Sequence, residues 1–180
     1  MKQSHDFGHI KSAYQEGYND AIKKKIDKLP TTVENWFETL NQIEFKFLSD
    51  IKWVGVLMYP YYPIGDLFAD FGNPFKKVAV VIEYKNHDGA LLEKRINSFR
   101  EKGWTVYTLE SKSVTYTAEE LFDYNKTDPN LDFYEIPQEE FVEFVNLNKA
   151  KNSQCLLYYI RFNHFDWLDA LEEEMEELEQ

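Results

Sequence analysis

Asp70, Glu83 and Lys85 stand within one short stretch, "DLFADFGNPFKKVAVVIEYKNH", in which an aspartate, an apolar run and Glu-Tyr-Lys follow one another. A strand points alternate residues to one face, so Glu83 and Lys85 should project side by side while Tyr84 points away. The same parity would put Asp66, Phe68 and Asp70 on one face of the preceding strand. If the two strands pair antiparallel, Asp70 and Glu83 can converge near a shared strand end. Two carboxylates held close repel one another and raise one pKa unless a divalent cation neutralises them. A hard Mg²⁺ or Mn²⁺ on one or two carboxylates, with waters left over, suits phosphate chemistry: it polarises a phosphoryl oxygen and acidifies a bound water. Lys85 would orient or deprotonate that water, or stabilise charge building on the phosphate. The plainer alternative has Asp70 capping a strand end and Glu83 with Lys85 forming an ordinary ion pair.

The elements that would position these residues are legible as periodicities. Residues 10–28 lack strand alternation, end in the basic run Lys23–Lys25 and stop at Pro30, which predicts a helix. Thr31-Thr32-Val33-Glu34 offers a cap to an amphipathic helix over about 34–50, with Trp36, Phe37, Leu40, Ile43, Phe47, Leu48 and Ile51 at helical spacing. Strands are expected at 53–58 and 66–71, joined into a hairpin by a wide turn in "YPYYPIG". "KVAVVIEY", 77–84, is apolar on both faces and reads as a central, doubly covered strand. A helix over 91–102, closed by Gly103, leads into the strand "WTVYTLE". The order helix, strand, strand, strand, helix, strand implies one mixed sheet with a helical crossover before its last strand. Trp36, Phe47, Val80, Ile82, Phe99 and Val106 are its expected core. A short helix from Thr117, a loop at "NKTDPN" and helices near 138–150 and 153–178 complete the chain.

These elements, with their motifs, resemble a known family. An aspartate followed at a distance by Glu-x-Lys across a hairpin resembles the PD-(D/E)XK nuclease superfamily. "NQIEFKFLSDI", "YPIGDLFADFGNPFKKVAVVIEYKNH" and "RINSFREKGWTVYTL" are similar to its very-short-patch-repair endonuclease branch, over about residues 41–109. The resemblance implies a restriction-endonuclease-like α/β fold, Mg²⁺- or Mn²⁺-dependent hydrolysis of DNA, and site positions at Glu44, Asp70, Glu83, His87 and Arg95. Asp70 and Glu83 would be metal ligands, with Lys85 and Glu44 completing the catalytic set. His87, Arg95, Arg100, Lys76 and Lys77 are the candidate phosphate contacts. The chain departs from that branch at Tyr84-Lys85-Asn86, where x-Asp-Gly is usual, at Ile96 after Arg95, and at Ala69 where a proline would precede Asp70.

Charge divides the chain. The formal net charge of −12 argues at first against a nucleic-acid partner. Residues 1–125, however, carry 16 Lys+Arg against 18 Asp+Glu, whereas residues 126–180 carry 4 against 14. The expected organisation is an N-terminal helix at 1–30, a nuclease-like core at 31–112 and an acidic helical extension at 113–180 packed on that core. The acidic end must face away from the active cleft or compete with DNA for it, and the first is expected; in the rival reading the domain is a catalytically inactive scaffold whose acidic end engages a basic protein partner. Cys155, the single cysteine, excludes an intrachain disulfide and reads as core filling. His5 and His9 have the spacing of a helical metal pair but no third ligand, and His164 lies among aromatics as packing. No apolar run approaches the roughly 20 residues of a membrane helix, and no secretory apolar segment opens the chain; the expectation is a soluble, cytoplasmic protein.

Overall fold

The structure, a computed structural model, describes residues 7–30, 34–114 and 153–165. Its sheet has four strands: β1 (Tyr59–Ile64), β2 (Leu67–Asn73), β3 (Val78–Glu83) and β4 (Thr105–Glu110). Their spatial order is β1-β2-β3-β4. The first two pairings are antiparallel and β3 with β4 is parallel. Among the described residues the α-helices are α1 (Gly8–Lys24), α2 (Trp36–Thr39), α3 (Gln42–Val54), α4 (Gly89–Glu101) and α5 (Ser153–His164). No helix among the described residues is long and apolar enough to cross a membrane.

β3 is buried on both faces because helices cover both. Val78, Val80 and Ile82 pack with Phe47, Ile51 and Val54 of α3 and with Leu156, Leu157 and Ile160 of α5. Ala79 and Val81 pack with Ile10 and Tyr14 of α1 and with Leu92, Ile96 and Phe99 of α4. The six expected core residues therefore divide: Phe47, Val80 and Ile82 lie on one face, Phe99 and Val106 on the other, and half-buried Trp36 touches both. α5 belongs to the first core layer, and Cys155 on it is only partly buried. The expected elements at 117–150 and beyond residue 165 lie outside the described residues.

Three local expectations are corrected. The helix expected over 34–50 breaks at Leu40, which is extended, and restarts at Asn41. Asn41 and Glu44 form a reciprocal capping box, so the stronger cap lies inside the apolar stripe rather than ahead of it. Residues 53–58 are not a strand: α3 runs to Val54 and ends on Gly55 at φ 75°. β1 lies instead in "YPYYPI", the stretch read as a wide turn. Its two prolines are tolerated because β1 is a sheet edge, where missing N–H donors need break no ladder. The hairpin turn is Gly65-Asp66, with Gly65 at φ 64°. Asp66 is consequently an exposed turn residue, 3.6 Å from Lys11 Nζ, and does not share a strand face with Asp70.

Candidate active site

The site begins with a fault in the hairpin. β1 and β2 pair in one register from Tyr59↔Gly72 to Ile64↔Leu67, but Tyr61 and Asp70, which would face each other, are missing from the ladder. Tyr61 has φ 46°, a left-handed conformation disfavoured for a bulky residue. Alternation fails at the same level of β2: Ala69 and Phe71, two residues apart, pack on opposite faces of the sheet. Asp70 sits at the flip between them, and its carboxylate reaches across to β3. The Ile82 amide donates to Asp70 Oδ2 at 2.8 Å, just beyond the last ladder pair, Phe71↔Val80.

Around Asp70 lies a buried polar cluster. Arg95 of α4 places Nη2 3.4 Å from Asp70 Oδ1. Its Nε donates to the Phe68 carbonyl at 2.9 Å, Nη2 donates to the same oxygen, and the guanidinium lies over the Phe99 ring. Glu44 is 3% exposed and Asp70 7%. Glu44 Oε2 accepts from the Asn41 amide at 2.9 Å and from the Tyr61 hydroxyl at 2.6 Å. Asn41 Nδ2 donates to the Tyr84 hydroxyl at 3.0 Å. Burial pushes the Asp70 carboxyl above its ordinary range; Arg95 and the Ile82 N–H oppose the shift, and the nearby Glu44 charge adds to it. Burial likewise raises Tyr61, reinforced by Glu44, and holds Tyr84 at about 12.

A second group opens to solvent where β3 and β4 end. Glu83, Tyr84, Lys85, His87, Glu110 and Lys112 line a cavity of about 500 Å³. It lies at the carboxyl ends of two parallel strands, the usual ligand position of an α/β sheet. Lys85 and His87 follow β3 in an exposed turn, in which the His87 amide donates to the Tyr84 carbonyl at 3.0 Å. The cap of α4 is Asp88, whose Oδ1 accepts from the Ala90 amide at 2.9 Å. Asp70 does not line this cavity. It is tied to it through Ile82, the neighbour of Glu83, and through Tyr84, which lines the cavity and feels the Asp70 and Glu44 charges.

The expected site residues thus fall into three places. Asp70, Glu44 and Arg95 form the buried cluster; Glu83, Lys85 and His87 form the mouth. Lys76 and Lys77 sit in the turn that opens β3, whose first residue, Val78, is about 17 Å from Glu83 at strand rise. Arg100, exposed in the last turn of α4, is at that far end too, because α4 leads back to Thr105, the partner of Val78. Lys76 extends toward the Phe165 ring at 6.0 Å. The two carboxylates expected to hold a cation lie apart: Asp70 is in the buried cluster with its oxygens engaged by Arg95 and the Ile82 amide, and Glu83 lines the open cavity. Among the described residues no three His, Cys, Asp or Glu side chains form a group able to hold a metal.

Sequence reasoning missed Asn41, Tyr61, Glu110 and Lys112. The first had a signal, N-x-x-E at 41–44, and the last two repeat Glu-x-Lys one strand later, "ESK" after "EYK". Tyr61 had none, since a left-handed tyrosine in a strand leaves no mark on composition.

No protein-family model matches the sequence, and no curated protein matches it. Among solved structures, the chain is similar to the homing endonuclease I-Bth0305I catalytic domain, at 16% identity and a TM-score of 0.35, over 49% of this chain and 87% of that one.

Proposed function

We propose that this chain is a metal-dependent phosphodiester hydrolase acting on DNA, with a site of PD-(D/E)XK type resembling the very-short-patch-repair branch. The observation that carries the reading is the Asp70–Ile82 bond. A hairpin that breaks its own parity to bring an aspartate beside the residue preceding a strand-end glutamate is building a site, because the fault costs backbone strain and a buried charge. Asp70 and Glu83 would hold Mg²⁺ or Mn²⁺, which supplies a polarised phosphoryl oxygen and an acidified water. Arg95 locks Asp70 in place and offsets its charge until the cation does so. Lys85, exposed at the mouth, orients the attacking water or meets the phosphate, and His87 contributes a second polar contact there. Glu44 acts from behind, through Tyr61 on the strand opposite Asp70. Lys76, Lys77 and Arg100 would meet a duplex several phosphates away from the scissile one.

A second reading, a catalytically inactive scaffold that binds a basic protein through its acidic C-terminal region, is favoured by one observation. Arg95 already supplies Asp70 with the positive charge a cation would bring. Incubation of single-stranded, duplex and branched DNA with the chain and Mg²⁺ or Mn²⁺ decides between them. The nuclease reading expects cleavage that Asp70→Asn and Glu83→Gln each abolish. Absence of cleavage on every substrate, together with no calorimetric cation binding, would establish the scaffold.

A further inference from the structure

The cavity at the ends of β3 and β4 has walls and a rim of different character. Ile43, from the layer of α3, and Leu92, from that of α4, give it apolar sides. Tyr84 and His87 line it as a ring pair, with centroids 5.0 Å apart at 64°. Gly89 leaves one side open, since a Cβ there would meet no atom within 4 Å. The rim sets Glu83 and Glu110 against Lys85 and Lys112, so net charge draws no anion inside. At about 500 Å³ the cavity has the size of a small-molecule pocket.

Tyr84 brings to this cavity a hydrogen-bond donor for which the described residues hold no acceptor. The Glu44 main-chain N–H can only donate, so Asn41 presents Oδ1 to it and Nδ2 to Tyr84. Nδ2 likewise only donates, so the Tyr84 oxygen accepts and its own proton is left over. Burial holds the phenol at about 12, which keeps that proton in place at neutral pH. We propose that the cavity is a subsite for one unpaired nucleobase of the DNA, packed against the Tyr84–His87 ring pair between Ile43 and Leu92. The Tyr84 hydroxyl donates to an acceptor on the base edge, and Lys85 meets the adjoining phosphate outside. This rests on the nuclease reading for its ligand, DNA, and on neither the cation nor the chemistry of that reading. A base is flat, uncharged and apolar on its faces, which suits apolar walls under a balanced rim. A paired base reaches such a pocket only by leaving its stack, and an already unpaired one loses least by doing so. The subsite therefore selects DNA with an unpaired nucleotide over fully paired duplex.

Fluorescence anisotropy at fixed salt, with chelator present so that nothing is cut, tests this on three labelled duplexes: fully paired, with a one-nucleotide bulge, and with the bulged nucleotide made abasic. The full-length chain should bind the bulged duplex about tenfold more tightly than either of the others, in the range that stacking one base on aromatic side chains gives. His87→Ala should remove most of that preference, and Tyr84→Phe, which keeps the ring and drops the proton, should reduce it about threefold. Gly89→Leu fills the open side of the cavity from the first turn of α4. It should abolish the preference while melting no lower than wild type, which separates occlusion from misfolding. Lys85→Met should weaken all three duplexes alike, as a phosphate contact does. Equal wild-type affinity for the three duplexes, or a preference for the bulge that survives Gly89→Leu, would overturn the subsite. Cleavage in Mg²⁺ or Mn²⁺ without any such preference would overturn the subsite alone and leave the nuclease reading standing. The preference without cleavage of any DNA would uphold the subsite and overturn the nuclease reading.

Discussion

The Asp70 carboxylate takes the Ile82 amide at 2.8 Å, at the level where the backbone ladder between β2 and β3 has stopped. A side chain thereby does the work of a main-chain carbonyl, and the strand carrying Glu83 is held to the hairpin by an ionisable group. Replacement of Asp70 should separate structure from function. Asp70→Asn keeps an oxygen for Ile82 and removes a charge that burial disfavours. A carboxyl whose folded pKa lies above its value of 3.8 in the unfolded chain contributes stability below that pH and loses it as pH rises through the folded pKa. Without divalent cation, Asp70→Asn should therefore melt higher than wild type at pH 7, with the gap closing toward pH 4. Asp70→Ala, which leaves the Ile82 N–H unpaired, should instead lose about 1–3 kcal/mol. Thermal melts of the three proteins at both pH values check the order.

Tyr61 is the second hinge of the site. Its hydroxyl donates to Glu44 Oε2 at 2.6 Å, and its φ of 46° is maintained opposite Asp70. Tyr61→Phe removes one of two described donors from a buried carboxylate and should cost roughly 1–3 kcal/mol. Glu44→Gln lessens that penalty, because the remaining group is no longer charged. A double-mutant cycle in denaturant should give a coupling of at least about 0.5 kcal/mol; strict additivity would show that the two side chains do not act together.

What the sequence disclosed and what it hid divide along physical lines. The doubly covered strand at Val78–Ile82, the helix closed before Gly103 and the strand after it were legible, because burial on both faces and glycine caps write local patterns. β1 was not, since Pro60 and Pro63 signal a turn everywhere except at a sheet edge, and edges are set by tertiary pairing. Asp70, Glu83 and Lys85 could be picked out by type and spacing. The division between a buried Asp70 with Arg95 and an open Glu83 with Lys85 could not, because the flip at Asp70 breaks the parity on which the expectation rested. Arg95 approaches from a helix 25 residues further along the chain than Asp70, a distance no strand pattern encodes.

Acid should loosen α5 from β4. The Tyr107 hydroxyl and His164 Nε2 are hydrogen-bonded at 2.7 Å, and burial lowers the His164 pKa below 6.5. A depressed folded pKa gives stability that is present above 6.5 and lost as pH falls through the folded value. The melting temperature of wild type should accordingly drop on going from pH 7 to pH 5. His164→Gln, which keeps a polar partner for Tyr107 without titrating, should show a smaller drop. Equal pH dependence in both would mean that His164 contributes nothing to it.

A core ending near residue 112 should not fold alone, although the sequence suggests that boundary. Leu156, Leu157 and Ile160 of α5 are fully buried against α3 and β3. At about 1.5–3 kcal/mol for each buried side chain, their loss removes roughly 5–9 kcal/mol. That is comparable with the entire stability of an ordinary domain, about 5–15 kcal/mol. Polar contacts fail with them: Ser153 Oγ donates to buried Asp50 Oδ2 at 2.5 Å, and Arg161 Nη1 donates to the Val54 carbonyl at the end of α3 at 2.7 Å. A fragment of residues 1–114 should therefore show no cooperative thermal transition and should expose apolar surface to a hydrophobic dye. Adding a peptide that spans α5 should restore the transition in trans. A fragment 1–114 that melts cooperatively at the wild-type temperature would return α5 to the status of an accessory element and locate the essential core wholly before residue 115.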